Sequence, residues 1–368
     1  EKKFFITEEQ AVTPAEILMG AFTDADKIYI NGICCGSSYD RYAPRIYPVA
    51  PGILRAGENV VCIHLYVFRG RGGAMPGKQY GIRFKKGKER WLDLSGTWDA
   101  QIRKQMEYLP EKTFFNYMAS AMFNGMISPV SPYKICAVIY YQGESDVGHP
   151  NRYALEFRAL VNDWRKSWKE KQLPIIYVQL AGFSDGNIKK QGTQWAEFRE
   201  VQRQAMEIEN TAMIQAYDVG EYNDLHPMDK KTLGMRAALA VHKLVYGEKE
   251  ECTGPQVRKI RLDRDKRVYA VFDQPLQTGS KKDGCELVSE VELRKANGDY
   301  KRAYVTVDGN EICAWLSDGE EPTGIRYAWK DCPMNICLYG KRGLPVIPFI
   351  KEWGRDAIYT GKICETDR

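Results

Sequence analysis

The sequence has 368 residues, which a usual domain size of about 100–200 residues divides into two or three domains. Hydrophobic residues make up 44% and charged residues 27%, a globular composition that excludes a disordered chain. The 53 basic and 48 acidic residues leave a formal charge of +5, too small over this length to argue for nucleic acid or an anionic membrane as partner. No apolar run reaches the ~18 residues of a transmembrane helix. The sharpest constraint is that only four histidines are present, His64, His149, His226 and His242.

The chain opens EKKFFITEEQ, with no basic segment leading into an apolar run, so no signal peptide is read. Residues 1–108 have a β texture. Strands are expected at Lys27–Asn31, Asn59–Phe68 and Trp91–Ile102, with turns at Asn31-Gly32, at Pro51-Gly52 and in the glycine-rich Arg69–Gly77. Short strands between turn signals suggest a β-sandwich.

Residues 109–248 alternate between β and α. Ile135–Tyr141 is a continuous apolar run, the pattern of a strand buried on both faces. Asn151–Trp168 follows as a helix, with Tyr153, Phe157, Leu160, Val161, Trp164 and Trp168 at helical spacing. Pro174–Ala181 reads as a second buried strand, Trp195–Glu209 as a second helix and Thr211–Val219 as a third strand. A third helix begins near Asp229, with Leu233, Ala237, Ala240, Val241 and Leu244 in one stripe. This repetition implies an α/β core with a mainly parallel sheet and helices on its faces.

Residues 249–368 return to β. Arg267–Phe272, Glu290–Arg294, Ala303–Val307 and Glu311–Trp315 are short strands, with Asn297-Gly298 and Asp308-Gly309 as turns. The ten cysteines are too sparse for a disulfide-built domain, and Cys62 and Cys136 read as small buried hydrophobes. No His/Cys cluster has metal-ligand spacing, so no metal or other cofactor is expected.

In an open parallel sheet, ligands bind beyond the carboxyl ends of the strands. Three segments there should share one rim: Gln142-Gly143-Glu144-Ser145-Asp146, Ala181-Gly182-Phe183-Ser184-Asp185, and Asp218–Pro227. His226 follows Asp224 by two residues between a strand and a helix. A histidine held by a carboxylate through one ring nitrogen can deprotonate a hydroxyl with the other. A helix-start role competes with that reading, because Pro227 suits a first turn and Asp229 a cap. The other histidines read as bland: His64 packed in a strand, His242 solvent-exposed, and His149 in a loop at the pocket mouth.

FNGMISPVSPY at 123–133, AVIYYQGESD at 137–146, YVQLAGF at 177–183, the Trp195–Gln202 W-x-x-x-R-x-x-Q motif, DVGEYNDLHPMDK at 218–230 and IRYAWKDCPMNICLYGKRGLPVIPF at 325–349 occur in that order. Together they resemble the sialate O-acetylesterase family, in the SGNH (GDSL-like) hydrolase superfamily. The resemblance implies an SGNH-hydrolase core, flavodoxin-like and three-layered, carrying an inserted β-sandwich (1–108) and a C-terminal β domain (249–368). It implies acyl transfer, in which a histidine-activated serine attacks an O-acetyl ester and water then hydrolyses the acyl-enzyme. His226 matches the general base, and Asp224 is its orienting partner. The commoner superfamily spacing places the acid where this chain has Asn223, so a backbone carbonyl or Glu221 are alternatives, as is a serine–histidine dyad. Gln142, Gly143 and Glu144 match the loop lining the acyl pocket, where an N–H donor would stabilise the oxyanion. Glu144 is expected to brace that loop, and Asn124 to line the same pocket.

The family's nucleophile stands in a GQSN-type motif ahead of the inserted module, and neither GQSN nor GDSL occurs here. The chain is therefore expected to lack the first core strand, to depend on an N-terminal segment of the same protein for its serine, and to be inactive alone. Ser37, Ser38 (expected in a turn), Ser145 and Ser184 are poor substitutes. The expected substrate is an O-acetylated carbohydrate, sialic acid or a related glycan. The alternatives are an inert carbohydrate-binding or scaffold protein with a degenerate hydrolase core, and an acetylxylan-type esterase. By family analogy the protein is periplasmic or secreted.

Overall fold

The computed structural model describes residues 1–68, 70–87, 90–107, 113–184, 191–279, 290–353 and 364–365. Arg69, Asp185, Cys285 and the side chain of Cys364 lie outside the described residues. The chain forms two compact units, Glu1–Phe114 and Phe115–Arg368.

The first unit holds two four-stranded antiparallel sheets. One runs Lys2–Ile6, Gly57–Tyr66, Ala25–Ile30, Ile33–Ser38; the other runs Trp91–Asp93, Tyr80–Phe84, Ala15–Met19, Ile46–Val49. Alternate residues of both sheets, among them Phe4, Ile17, Met19, Ile28, Ile30, Val61, Ile82 and Phe84, form one buried core, as two-residue periodicity requires. Asn31 (φ 51°) and Gly32 (φ 81°) make the tight hairpin turn after Ala25–Ile30. Asp26 and Arg45 pair at 2.6 Å with both side chains fully buried, so the ion pair links a strand of one sheet to the approach of the other.

Three expectations for this unit need correction. The strand from Trp91 stops at Asp93, whose carboxylate takes the Ser95 N–H (3.0 Å) and hydroxyl (2.6 Å), and Gly96 at φ 88° then turns the chain away. Cys62 and His64 face outward because Val61 and Ile63 take the inward positions; His64 is exposed, its ring 4.7 Å from that of Tyr29. Ser37 and Ser38 lie within a strand rather than a turn.

The second unit contains a three-stranded parallel sheet: β1 (Val138–Tyr140), β2 (Ile175–Gln179) and β3 (Thr211–Gln215), in that order. Its connections are α1 (Pro150–Ser167), α2 (Gln194–Gln204) and, after β3, α3 (Lys230–Tyr246). β2 is buried on both faces. Ile175 and Tyr177 pack with Tyr153, Phe157, Val161 and Phe198 of α1 and α2. Ile176 and Val178 pack with Leu233, Ala237 and Ala240 of α3. The Asp229 carboxylate caps α3 through the Thr232 N–H (3.0 Å), and Gly247 (φ 74°) ends it in the left-handed conformation.

The other described sheets are antiparallel, so parallel pairing is confined to these three strands. β1 also departs from the expected strand buried on both faces. It has three residues and pairs only with β2 among the described residues; Ile139 is 58% exposed, and Ile135 and Cys136 are exposed as well. An apolar run specifies a place against other residues, and here one side of that place is open.

The C-terminal β region has a five-stranded sheet, built on Val257–Leu262, Val268–Phe272, Tyr304–Asp308 and Glu311–Trp315 with Cys364–Glu365 at its edge. A four-stranded sheet of Tyr300–Arg302, Val291–Arg294, Gly324–Tyr327 and Phe349–Glu352 shares its core. This region is tied directly to the α/β sheet. Gln215 Nε2 donates to the Pro345 carbonyl (3.1 Å), Thr253 Oγ1 to the Met213 carbonyl (2.8 Å), and Ile347 joins the α1/α2 core.

Candidate active site

The carboxyl ends of β1, β2 and β3 lead into three loops that form one rim. After β1, the Tyr140 hydroxyl donates to Gln142 Oε1 and Gln142 Nε2 donates to Asp146 Oδ2, both at 2.8 Å. Arg152 of α1 stands 3.6 Å from the other Asp146 oxygen. Gln142 and Asp146 therefore brace this loop, a task the sequence suggested for Glu144. Gly143 has φ 149° and packs so closely on α2 that a Cβ would stand 2.8 Å from the Phe198 ring. Both constraints demand glycine.

Next to this loop the Tyr141 hydroxyl is buried and has no hydrogen-bond partner among the described residues. Burial, reinforced by the Glu144 charge, raises its pKa far above the usual tyrosine value. Buried hydroxyls in folded proteins are almost always paired, so this one marks a position where a partner belongs.

The loops after β2 and β3 are fastened to each other. The Ala216 N–H donates to the Gln179 carbonyl (3.1 Å) and the Ser184 N–H to the Tyr222 carbonyl (2.5 Å). Gly220 lies against Gly182, where a Cβ would meet backbone at 3.1 Å. The start of the β3 loop is anchored by Asp218, held bidentately by Arg236 of α3 at 2.7 Å with both side chains buried.

His226 is carried on the turn that follows, exposed at the rim. The Asp224 N–H closes the turn on the Glu221 carbonyl (3.0 Å). Asp224 Oδ1 accepts the backbone N–H of His226 at 2.8 Å, and Glu221 Oε1 accepts the Met228 N–H at 3.3 Å. Asp224 thus bonds to the main chain of His226, the short-range turn that aspartate favours. Lys230 donates to the Pro227 carbonyl, and its Nζ stands 5.6 Å over the Tyr141 ring. That contact joins the His226 turn to the end of β1.

Among the other candidates, Ser145 is exposed on the Glu144–Asp146 turn and Ser184 is half-buried. Asn124 is exposed on the wide helical turn Phe123–Ile127. His149 precedes the first turn of α1, exposed, and His242 lies at the far end of α3, bonded to Glu248 at 2.7 Å. Among the described residues no group of three or more His, Cys, Asp or Glu side chains could hold a metal ion. No helix of the described residues is long and apolar enough to cross a membrane. Tyr141, Lys230 and the Asp218–Arg236 pair are site features that spacing alone did not single out.

Residues 100–243 match the family described as carbohydrate esterase, sialic acid-specific acetylesterase. The human sialate O-acetylesterase is 28% identical over 264 residues, covering 63% of this chain and 48% of that protein. The mouse sialate O-acetylesterase is 31% identical over 275 residues, covering 63% and 47%. The crystal structure of a carbohydrate acetylesterase from Xanthomonas citri aligns with a TM-score of 0.56 and 29% identity, covering 62% of this chain and 52% of that one. The chain spans about half the length of the curated relatives it matches. All three rim loops fall within residues 100–243, the stretch that is similar to the sialic acid-specific acetylesterase family of carbohydrate esterases.

Proposed function

We propose that this chain is the general-base portion of a carbohydrate O-acetylesterase that removes O-acetyl groups from sialic acid or a related glycan. The observation that carries the reading is the placement of His226. It is the one histidine on the turn beyond β3, and that turn is fastened to the β2 loop and linked through Lys230 to the end of β1. In this mechanism His226 takes the proton of a serine hydroxyl as its oxygen attacks the acetyl carbonyl. The alcohol of the sugar leaves with a proton, and water activated by the same imidazole releases acetate. Asp224 orients His226 by fixing its main chain. Gly143 offers its N–H to the oxyanion, a type of contact worth about 2.7–4 kcal/mol; Gln142, Glu144 and Asn124 line the pocket around it.

The nucleophile in this reading comes from a polypeptide segment outside the 368 residues, on a strand that adds in parallel to the open edge of β1. Three observations support it. No GQSN or GDSL motif is present. Ile135 and Ile139 beside that edge are exposed, as are Met118, Met122, Met126, Val130 and Tyr133 in the segment before it. The buried Tyr141 hydroxyl at the end of the same strand has no partner among the described residues. With that strand the parallel sheet becomes the flavodoxin-like three-layer core of an SGNH hydrolase, with residues 1–108 an inserted β-sandwich, 109–248 the incomplete core and 249–368 a C-terminal β domain. We place the protein outside the cytoplasm, periplasmic or secreted, where acetylated glycans are met.

The test is acetate release from O-acetylated sialic acid by the 368-residue chain and by a longer polypeptide that adds a GQSN-bearing strand. The expected result is turnover by the longer polypeptide alone. Robust turnover by the 368-residue chain would return the nucleophile to Ser145, Ser184, Ser37 or Ser38.

A further inference from the structure

Lys330–Cys332 belongs by sequence to the C-terminal β region, and the Lys330 side chain pairs there with Glu290 (2.9 Å), yet the main chain of the segment and the Asp331 carboxylate bond to the α/β core. Asp331 Oδ1 accepts the Trp195 N–H at 2.9 Å, in the first turn of α2. Thr193, at the N-cap position, makes no cap of its own and spends its hydroxyl on Glu197. The Asp331 N–H donates to the Gly192 carbonyl (3.0 Å), and the Cys332 N–H to Gln191 Oε1 (2.6 Å). The Asp331 carbonyl accepts twice, from the Phe183 N–H (3.3 Å) and from the guanidinium of Arg199 (3.2 Å), a fully buried side chain that also reaches the Lys330 carbonyl.

Phe183 is the point where this clamp meets the rim. Gly182 before it lies against Gly220, and a Cβ on Gly182 would stand 3.0 Å from the Cys332 backbone. Ser184 after it holds the Tyr222 carbonyl. Tyr222 lies within the Glu221–Asp224 turn that supports His226. We infer that Asp331 is a positioning residue for His226, through which the C-terminal β region sets the place of the catalytic turn without touching substrate. The inference deepens the esterase reading and rests on His226 being its base.

The presence of only four histidines makes the test direct. Their ring C–H signals are followed by NMR in the full chain, with the His226 signal assigned from His226→Gln. Asp331→Ala is expected to shift or broaden the His226 signal while leaving His64 and His242 in place. Asp331→Asn, which keeps an oxygen for the Trp195 N–H, is expected to restore it. In the catalytically complete protein Asp331→Ala should lower kcat by up to ~10²-fold, the scale of a small misplacement, with KM little changed. If Asp331→Ala fails to fold, Gln191→Ala loosens the same clamp at the Cys332 N–H and is read in the same way. An unmoved His226 signal in either folded variant overturns the inference, as does an equal shift of all four signals. Undiminished acetate release by His226→Ala would sink the esterase reading instead, and the NMR result would still decide what Asp331 holds.

Discussion

At the scale of single residues the candidate site depends on close approach and on main-chain bracing. Gly143 shows both, and the two constraints on it make Gly143→Ala costly. A methyl group must push back the Phe198 ring from 2.8 Å while the backbone holds φ at 149°. Overpacking of this kind costs about 1–3 kcal/mol, to be read as a lowered urea midpoint; a midpoint equal to that of the parent would contradict the geometry. The place of His226 was legible in the sequence, because it stands between a buried strand and a capped helix. Asp224 was expected to orient His226, and the contact seen is with the His226 main chain. Two-residue spacing favours a bond to the backbone N–H, and that is the bond the turn contains. Tyr141 was not legible as a site residue, since nothing in AVIYYQGESD says which hydroxyl is buried or unpaired.

At the scale of elements, the helices were read closely because an apolar stripe at helical spacing has one solution. α1 buries Tyr153, Phe157 and Val161 as expected, and Asp229 is the α3 cap. β1 was misjudged for the opposite reason. A short apolar run carries no record of which neighbour covers it, and Ile139 and Cys136 are exposed where burial was expected. The open edge gives its own prediction. Ile139→Lys should leave the stability of the chain within about 0.5 kcal/mol, as exposed substitutions do. It should also abolish rescue of esterase activity by an added serine-bearing strand, since a lysine on an edge opposes strand pairing. Full rescue in the Ile139→Lys chain would place that strand elsewhere.

At the scale of the whole molecule, three textures were legible in the sequence, but not the ties between them. Gln215 to Pro345 and Trp195 to Asp331 span 130 and 136 residues, and no local periodicity reports such pairs. These ties make the α/β sheet and the C-terminal β region one compact unit, and buried tyrosines run through it. Tyr177, Tyr217 and Tyr327 are buried, which raises their pKa values well above the usual 10.0. An unfolded chain therefore releases these protons first. Their contribution is fully present below pH 10 and is lost as pH rises toward the folded values. Denaturation midpoints should fall steeply above that pH, and a flat profile would mean that these hydroxyls are solvated. The central claim concerns His226, and it is tested most directly by the initial rate of acetate release from O-acetylated sialic acid. The comparison is between a longer polypeptide that adds the proposed serine-bearing strand and its His226→Ala variant. A fall of at least ~10²–10⁴-fold is expected for loss of the general base, and an unchanged rate would contradict it.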